Sequence, residues 1–273
     1  MHTREMTLDQ LQSVSLDILC ELHDFCVRHS IKYSLAGGTA IGAVRHHGFI
    51  PWDDDVDVCM LRDDYERFCS VYQNNGDYEL FAPQRGNSFI GYARLCEMRR
   101  TEVHPFVPCF TKDTGIWIDI FPMDLASDDY DTFYARQMRV LKAKCLLDAK
   151  RDAMRPLSLS LGMKGLLHVM LRKMTSPSGN VEEMIAEITR LSTEESASCS
   201  RLTNYHTVYR AKEWYLREDF NDTIPVEFEG KEFRLMSGYD DYLRQIYGDY
   251  MQLPPEHQRV ARHSRHGYMW KAN

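Results

Sequence analysis

Along residues 7–28, apolar side chains recur at Leu11, Val14, Leu16, Ile18, Leu19, Leu22 and Phe25, a spacing that predicts an amphipathic helix with Thr7 at its N-cap. A short apolar run at 33–36 predicts a strand, which Gly37-Gly38 interrupts before a helix from about Thr39 to His46. Residues 56–60 predict the next strand. Residues 62–73 return to helical spacing, with Tyr65, Phe68, Cys69 and Tyr72 on one side. Asn74-Asn75-Gly76 ends that helix, because Asn and Gly tolerate the left-handed conformation of a helix C-terminus. Extended pieces follow at 78–82, 89–98 and 115–121. Helices mixed with strands in this order predict an α+β fold, a mixed and largely buried sheet flanked by helices.

Beyond residue 127 the pattern changes. Residues 128–150, 157–174 and 181–198 predict helices, and the chain from 202 mixes short extended pieces with a last helix at 239–247. This divides the chain into a core at 1–127, a helical lobe at 128–201 and a C-terminal segment at 202–273 that packs on the core.

Composition narrows the picture. The 273 residues are 44% hydrophobic and 27% charged, ordinary for a soluble globular protein able to bury a sizeable core. A net charge of −7 argues against a general nucleic-acid binder, so no nucleic-acid partner is expected. The segment 150–174 runs against this trend, with six basic residues to one acidic. Its Leu157, Leu161, Leu167, Met170, Leu171 and Met174, with Lys164, Arg172 and Lys173, suit a peripheral contact with an anionic membrane; a core-facing helix with a basic outer edge reads the same way. The eight cysteines form no CxxC pair, which argues against zinc and for free thiols in a reducing cytoplasm. Residues 1–12 are polar, unlike a secretory signal, and no run reaches the ~18 apolar residues of a membrane span.

The chemistry concentrates at 36–60, AGGTAIGAVRHHGFIPWDDDVDVCM. Glycines opening a helix leave room for phosphate against unpaired backbone amides, with the Thr39 hydroxyl as a further donor. On a strand, Asp53, Asp55 and Asp57 would share one face, and such carboxylates suit a hard divalent cation. A DDD run also occurs as a solvated turn, the simpler reading for Asp53 and Asp54. An EF-hand is excluded because Val58 stands where that loop needs glycine. Asp119 interrupts the apolar strand Ile116, Trp117, Ile118, Ile120, Phe121, where an unpaired charge is costly, and supplies a third carboxylate. Asp124, after Pro122, reads as a cap for the following segment. Arg45, His46 and Arg94 are candidate phosphate-binding cations.

These residues carry a resemblance. The pattern GGT-x-x-GA-x-RH-x-GFIPWDDD-x-D (37–57), the block WIDIFPMD (117–124) and the stretch GYDDYLRQIYGDYMQLPPEHQR (238–259) followed by His263 resemble the LicD family of phosphotransferases, related to fukutin. The resemblance covers both ends of the chain and leaves the helical middle unmatched in detail. It implies a nucleotidyltransferase-like fold in which Gly37-Gly38, the Asp55/Asp57 pair and Asp119 form the signature. It implies Mg2+, or Mn2+ in its place, on Asp55, Asp57 and Asp119, with Asp119 orienting or deprotonating the acceptor. Gly37, Gly38, Thr39, Arg45, Arg94 and His263 are the expected substrate-binding residues. The implied reaction moves a phosphoalcohol, phosphocholine favoured, from a CDP-alcohol donor to a hydroxyl of a surface glycan, free or lipid-linked, and releases CMP. The expected location is the cytoplasm, at the inner membrane face where such glycans are built. The alternatives are a nucleotidyltransferase that moves NMP from an NTP and a non-catalytic module binding nucleotide or glycan. A metal-dependent glycosyltransferase is a weaker rival, since the glycine pair would then lack a purpose. An aromatic box for a choline ammonium has candidates in Trp52, Trp117, Tyr247 and Tyr250, although core packing is the simpler reading for each.

Overall fold

A computed structural model describes residues 4–104, 109–155, 162–261 and 267–271. In chain order it contains β1 (Arg4–Glu5), α1 (Leu8–His29), β2 (Ser34–Leu35), α2 (Gly37–Ile41) running into a π turn at Gly42–His46, β3 (Asp57–Leu61), α3 (Arg62–Val71), β4 (Tyr78–Phe81), β5 (Ala93–Glu97), β6 (Thr101–His104) and β7 (Trp117–Ala126). Then come α4 (Tyr130–Met154), α5 (Gly162–Met174), α6 (Val181–Ser192), β8 (Arg201–Thr203), β9 (Tyr215–Leu216), β10 (Thr223–Phe228), β11 (Lys231–Met236), α7 (Tyr239–Tyr247) and β12 (Gly267–Trp270).

The central sheet has the order β2-β3-β7-β5-β4 and continues from the far end of β7 into β8 and β9. It is mixed: β3 and β7 run parallel, while β2/β3, β5/β7 and β4/β5 are antiparallel. The α+β expectation therefore holds. Helix α1 starts where the sequence predicts, because Thr7 Oγ1 accepts from the Gln10 amide while Gln10 Oε1 accepts from the Thr7 amide. Its buried face, Leu11, Val14, Ile18, Leu19, Leu22 and Phe25, joins the main core with Leu35, Val58, Met60, Ile118 and Ile120 from the sheet. The C-terminal segment adds Phe228, Phe233, Leu235, Leu243 and Ile246 to the same core. Between α4 and α6, Phe133, Val140, Leu147, Ile185, Ile188 and Leu191 form a second cluster, closed by Ala126 and Tyr205.

Several boundaries differ from the pattern. The strand expected at 89–98 is paired only over Ala93–Glu97. The helix expected to 198 stops at Ser192, ahead of Glu194 and Glu195, whose carboxylates form ion pairs with Arg136 on α4. Residues 157–161 of the helix expected at 157–174 lie outside the described residues. Strand β7 runs through Pro122. That position falls after β5 stops pairing at Ile120 and before β8 begins at Asp124, so one side of the strand has no ladder for proline to break there.

Asp124 corrects the sequence reading. It is no cap: Asp129 caps α4, its carboxylate accepting from the Thr132 amide at 2.9 Å. Asp124 lies inside β7, 1% exposed, and takes both arms of the Arg62 guanidinium, Nε at 2.6 Å and Nη2 at 2.8 Å. None of the eight cysteines forms a disulfide. Among the described residues no helix is long and apolar enough to cross a membrane.

Candidate active site

The site begins with strand register. Parallel pairing of β3 with β7 sets Asp57 opposite Asp119, and antiparallel pairing of β5 with β7 sets Arg94 opposite Asp119. Two acids and a guanidinium thus stand in one row across the three central strands. Neighbours in such a row project from the same face of the sheet.

Strand β3 begins only at Asp57, so the expected alternation of Asp53, Asp55 and Asp57 along one strand does not form. Asp53, Asp54 and Asp55 arrive from the preceding loop. That loop turns at Pro51-Trp52, where the Asp53 amide donates to the Ile50 carbonyl, and Gln12 of α1 holds it by donating to the Asp53 carbonyl at 2.8 Å. The turn gathers the three carboxylates, each offering an oxygen within 4.8 Å of the others, with Asp54 buried. Asp53 and Asp54 are therefore loop residues, as the simpler reading had it, yet they crowd the same acidic cluster.

The glycine pair is explained by these acids. A Cβ on Gly37 would lie 2.8 Å from Asp57 Oδ2, and one on Gly38 would lie 2.5 Å from Asp53 Oδ2. Gly37 also takes a positive φ of 54°, which disfavours any other residue. The space in front of the pair is filled by carboxylates, and the Gly37 amide donates to the Tyr242 hydroxyl at 3.1 Å. Thr39 is buried, and its Oγ1 accepts from the Asp57 amide at 2.9 Å, so this hydroxyl positions the strand that carries Asp57.

Electrostatics follow from the crowding. Burial, then the Asp55, Asp119 and Asp53 carboxylates, push the Asp57 carboxyl well above its ordinary range, and Arg94 offsets this only in part. Arg94 is committed to Asp119, with Nε 2.5 Å from Oδ1 and Nη2 3.4 Å from Oδ2. Its guanidinium lies 4.5 Å from the centre of the Trp117 ring, and Nη2 also meets the Tyr92 hydroxyl at 3.1 Å. Burial opposes this charge, but the Asp119 partnership outweighs it and holds Arg94 firmly protonated.

A cleft of about 230 Å3 opens here. Asp54, Asp55, Asp119, Arg94 and Arg151 line it with the aromatic walls Tyr92, Trp117 and Tyr268. An all-carboxylate donor set fits a hard divalent cation such as Mg2+ or Mn2+. Arg45 does not line the cleft. Its guanidinium donates to the Tyr250 and Gln252 carbonyls and to His46 Nε2, tying the π turn to the C-terminal segment. His263 lies outside the described residues. Tyr247 packs near Gly37 and shares a hydroxyl contact of 3.0 Å with Tyr209. The sequence reading missed Tyr92, Tyr242 and Arg151, none of which stands in a spacing that signals chemistry.

Residues 30–159 match the family described as LicD/FKTN/FKRP, nucleotidyltransferase domain. The chain is similar to the lipopolysaccharide cholinephosphotransferase LicD of Haemophilus influenzae, 31% identical over 281 residues that cover 97% of this chain and 99% of that protein. Shorter similarities join it to uncharacterized proteins of Rickettsia typhi, 36% identical over 65 residues (23% of this chain, 21% of that protein), and Rickettsia prowazekii, 40% over 47 residues (17% and 18%). The matched span 30–159 contains the glycine pair, all the acids of the cluster, Arg94 and Arg151.

Proposed function

Because the chain belongs to the LicD family, we propose that it transfers phosphocholine from CDP-choline to a hydroxyl of a cell-surface glycan and releases CMP. The observation that carries this reading is the register pairing of Asp57 with Asp119 beside the glycine turn. Mg2+, or Mn2+ in its place, would be held by Asp55, Asp57 and Asp119 with Asp53 and Asp54 alongside, and would offset the charge of the donor phosphates.

The residues divide the remaining work. Arg94 holds Asp119 by Oδ1 and leaves Oδ2 the more loosely bound oxygen, 3.4 Å from Arg94 Nη2 and 3.5 Å from the Tyr92 hydroxyl. Asp119 Oδ2 orients the acceptor hydroxyl and takes its proton as the oxygen attacks the choline-bearing phosphorus. The bond from that phosphorus to CMP breaks, and CMP departs. Thr39 and the glycine turn hold Asp57 in place, and catalysis rests on positioning and charge compensation. Helix α5 would rest on an anionic membrane surface, where a lipid-linked acceptor is presented, through its exposed Leu167, Met170, Leu171 and Met174.

The test is product analysis. CDP-choline, CDP-ethanolamine, CDP-glycerol and CDP-ribitol are each incubated with Mg2+ and a lipopolysaccharide acceptor, and CMP release is followed. Choline-dependent CMP release, lost with EDTA and reduced below ~10% in Asp57→Ala, is expected. Pyrophosphate released from an NTP instead would replace this reading by nucleotidyl transfer, and no turnover of any donor would leave a binding module.

A further inference from the structure

We infer that Arg151, from the helical lobe, is the guanidinium that grips the diphosphate of the donor. The inference rests on the reading of the cleft as a nucleotide-diphosphate site, and it assigns to α4 a substrate-binding role.

Among the described residues, two guanidiniums line the cleft, Arg94 and Arg151. Arg94 is held in place by protein partners: its Nε and Nη2 are taken by Asp119 and Tyr92, and its plane rests on Trp117. Arg151 is placed differently. Its Nη1 pairs with Asp148 one turn back on the same helix, at 2.9 Å, and that carboxylate is 62% exposed, so the pair is a weak, solvent-screened one. Its Nη2 donates to Cys109 Sγ at 3.3 Å, and a thiol is a poor acceptor. Its Nε is buried and has no hydrogen-bond acceptor among the described residues.

A guanidinium with one N–H orphaned and another on sulfur is under-satisfied, and such a group at the wall of a cleft is poised for an incoming acceptor. The acceptor must be anionic and offer several oxygens, because the planar fork of arginine matches phosphate oxygens two at a time. Among the described residues, no carboxylate other than Asp148 pairs with Arg151. A diphosphate meets the requirement: one side lies toward the carboxylate cluster, and the other lies toward Arg151 across the same cleft.

Titration calorimetry on the full chain tests this. CDP-choline, pyrophosphate and cytidine are each titrated with Mg2+ into the wild type, Arg151→Gln, Arg151→Lys and Asp148→Ala. Arg151→Gln should weaken CDP-choline and pyrophosphate about tenfold or more and leave cytidine unchanged. Arg151→Lys should recover part of the loss, and Asp148→Ala should show none of it. Pyrophosphate binding that depends on Arg151 supports the inference even where CDP-choline is not the donor. Wild-type affinity for pyrophosphate in Arg151→Gln, an equal loss for cytidine, or no binding of either diphosphate by the wild type would overturn it.

Discussion

Gly37→Ala probes the contact on which the acidic site is built. Two costs add. The residue holds φ at +54°, where a Cβ costs about 1–2 kcal/mol. The new methyl would sit 2.8 Å from Asp57 Oδ2, whereas ordinary contact begins at 3.4 Å, so the carboxylate or the turn must yield by ~0.6 Å. Asp57 has little freedom to do so, because its Cβ already lies 3.7 Å from the same point and Thr39 holds its amide. Overpacking of this kind costs about 1–3 kcal/mol, which brings the expected loss to about 2–5 kcal/mol. A displacement of this size in a site that works by positioning should lower turnover about a hundredfold. Gly86→Ala is the control: it has a similar φ of 66° and nothing within 4 Å of its added methyl, so it should lose only the backbone term and keep full activity. Urea unfolding and CMP release on both variants provide the assay. Equal stability losses with activity retained in Gly37→Ala would refute the packing of Asp57 against this turn.

Burial pushes the Glu213 carboxyl from 4.5 to about 7, against the opposing pull of the Thr207 and Tyr215 hydroxyls that it accepts from. Between those values the folded chain holds a proton that the unfolded chain has released, so stability is fully present below about 4.5 and falls as pH rises to about 7. The loss is about 3 kcal/mol, and denaturant melts of Glu213→Gln should lack it; a difference from wild type that is constant with pH would contradict the assignment. On helix α5, vesicles of phosphatidylcholine with phosphatidylglycerol should sediment the protein better than phosphatidylcholine alone, and Leu171→Glu should reduce this. Sedimentation indifferent to anionic lipid would remove the membrane contact.

Much of the site was legible because it rests on local rules. Periodic apolar residues foretold α1, and its cap was readable at Thr7. A glycine pair after an apolar run, then aspartates leading into a strand, marked the site, and the motifs placed the chain in the LicD family, which the comparison over 97% of its length shows. Other features escaped for a common reason. Asp119 and Asp124 are both charges in one apolar strand, and sequence offers no means to tell their partners apart: Arg94 comes from β5 and Arg62 from the start of α3. Arg151 is one basic residue among several in a cationic helix, and only the placement of α4 against the cleft singles it out.

The chain by itself determined which residues are candidates for chemistry and which local conformations they take, since helix periodicity, glycine turns and a charge set in an apolar run depend on neighbours a few positions away. The tertiary structure decided who faces whom. Asp57 meets Asp119 across 62 residues because β3 and β7 pair in parallel, and a slip of one residue would turn one of those carboxylates to the opposite face of the sheet. That register is set by the packing of the whole core on α1 and the C-terminal segment, a sum over contacts between residues far apart in the chain.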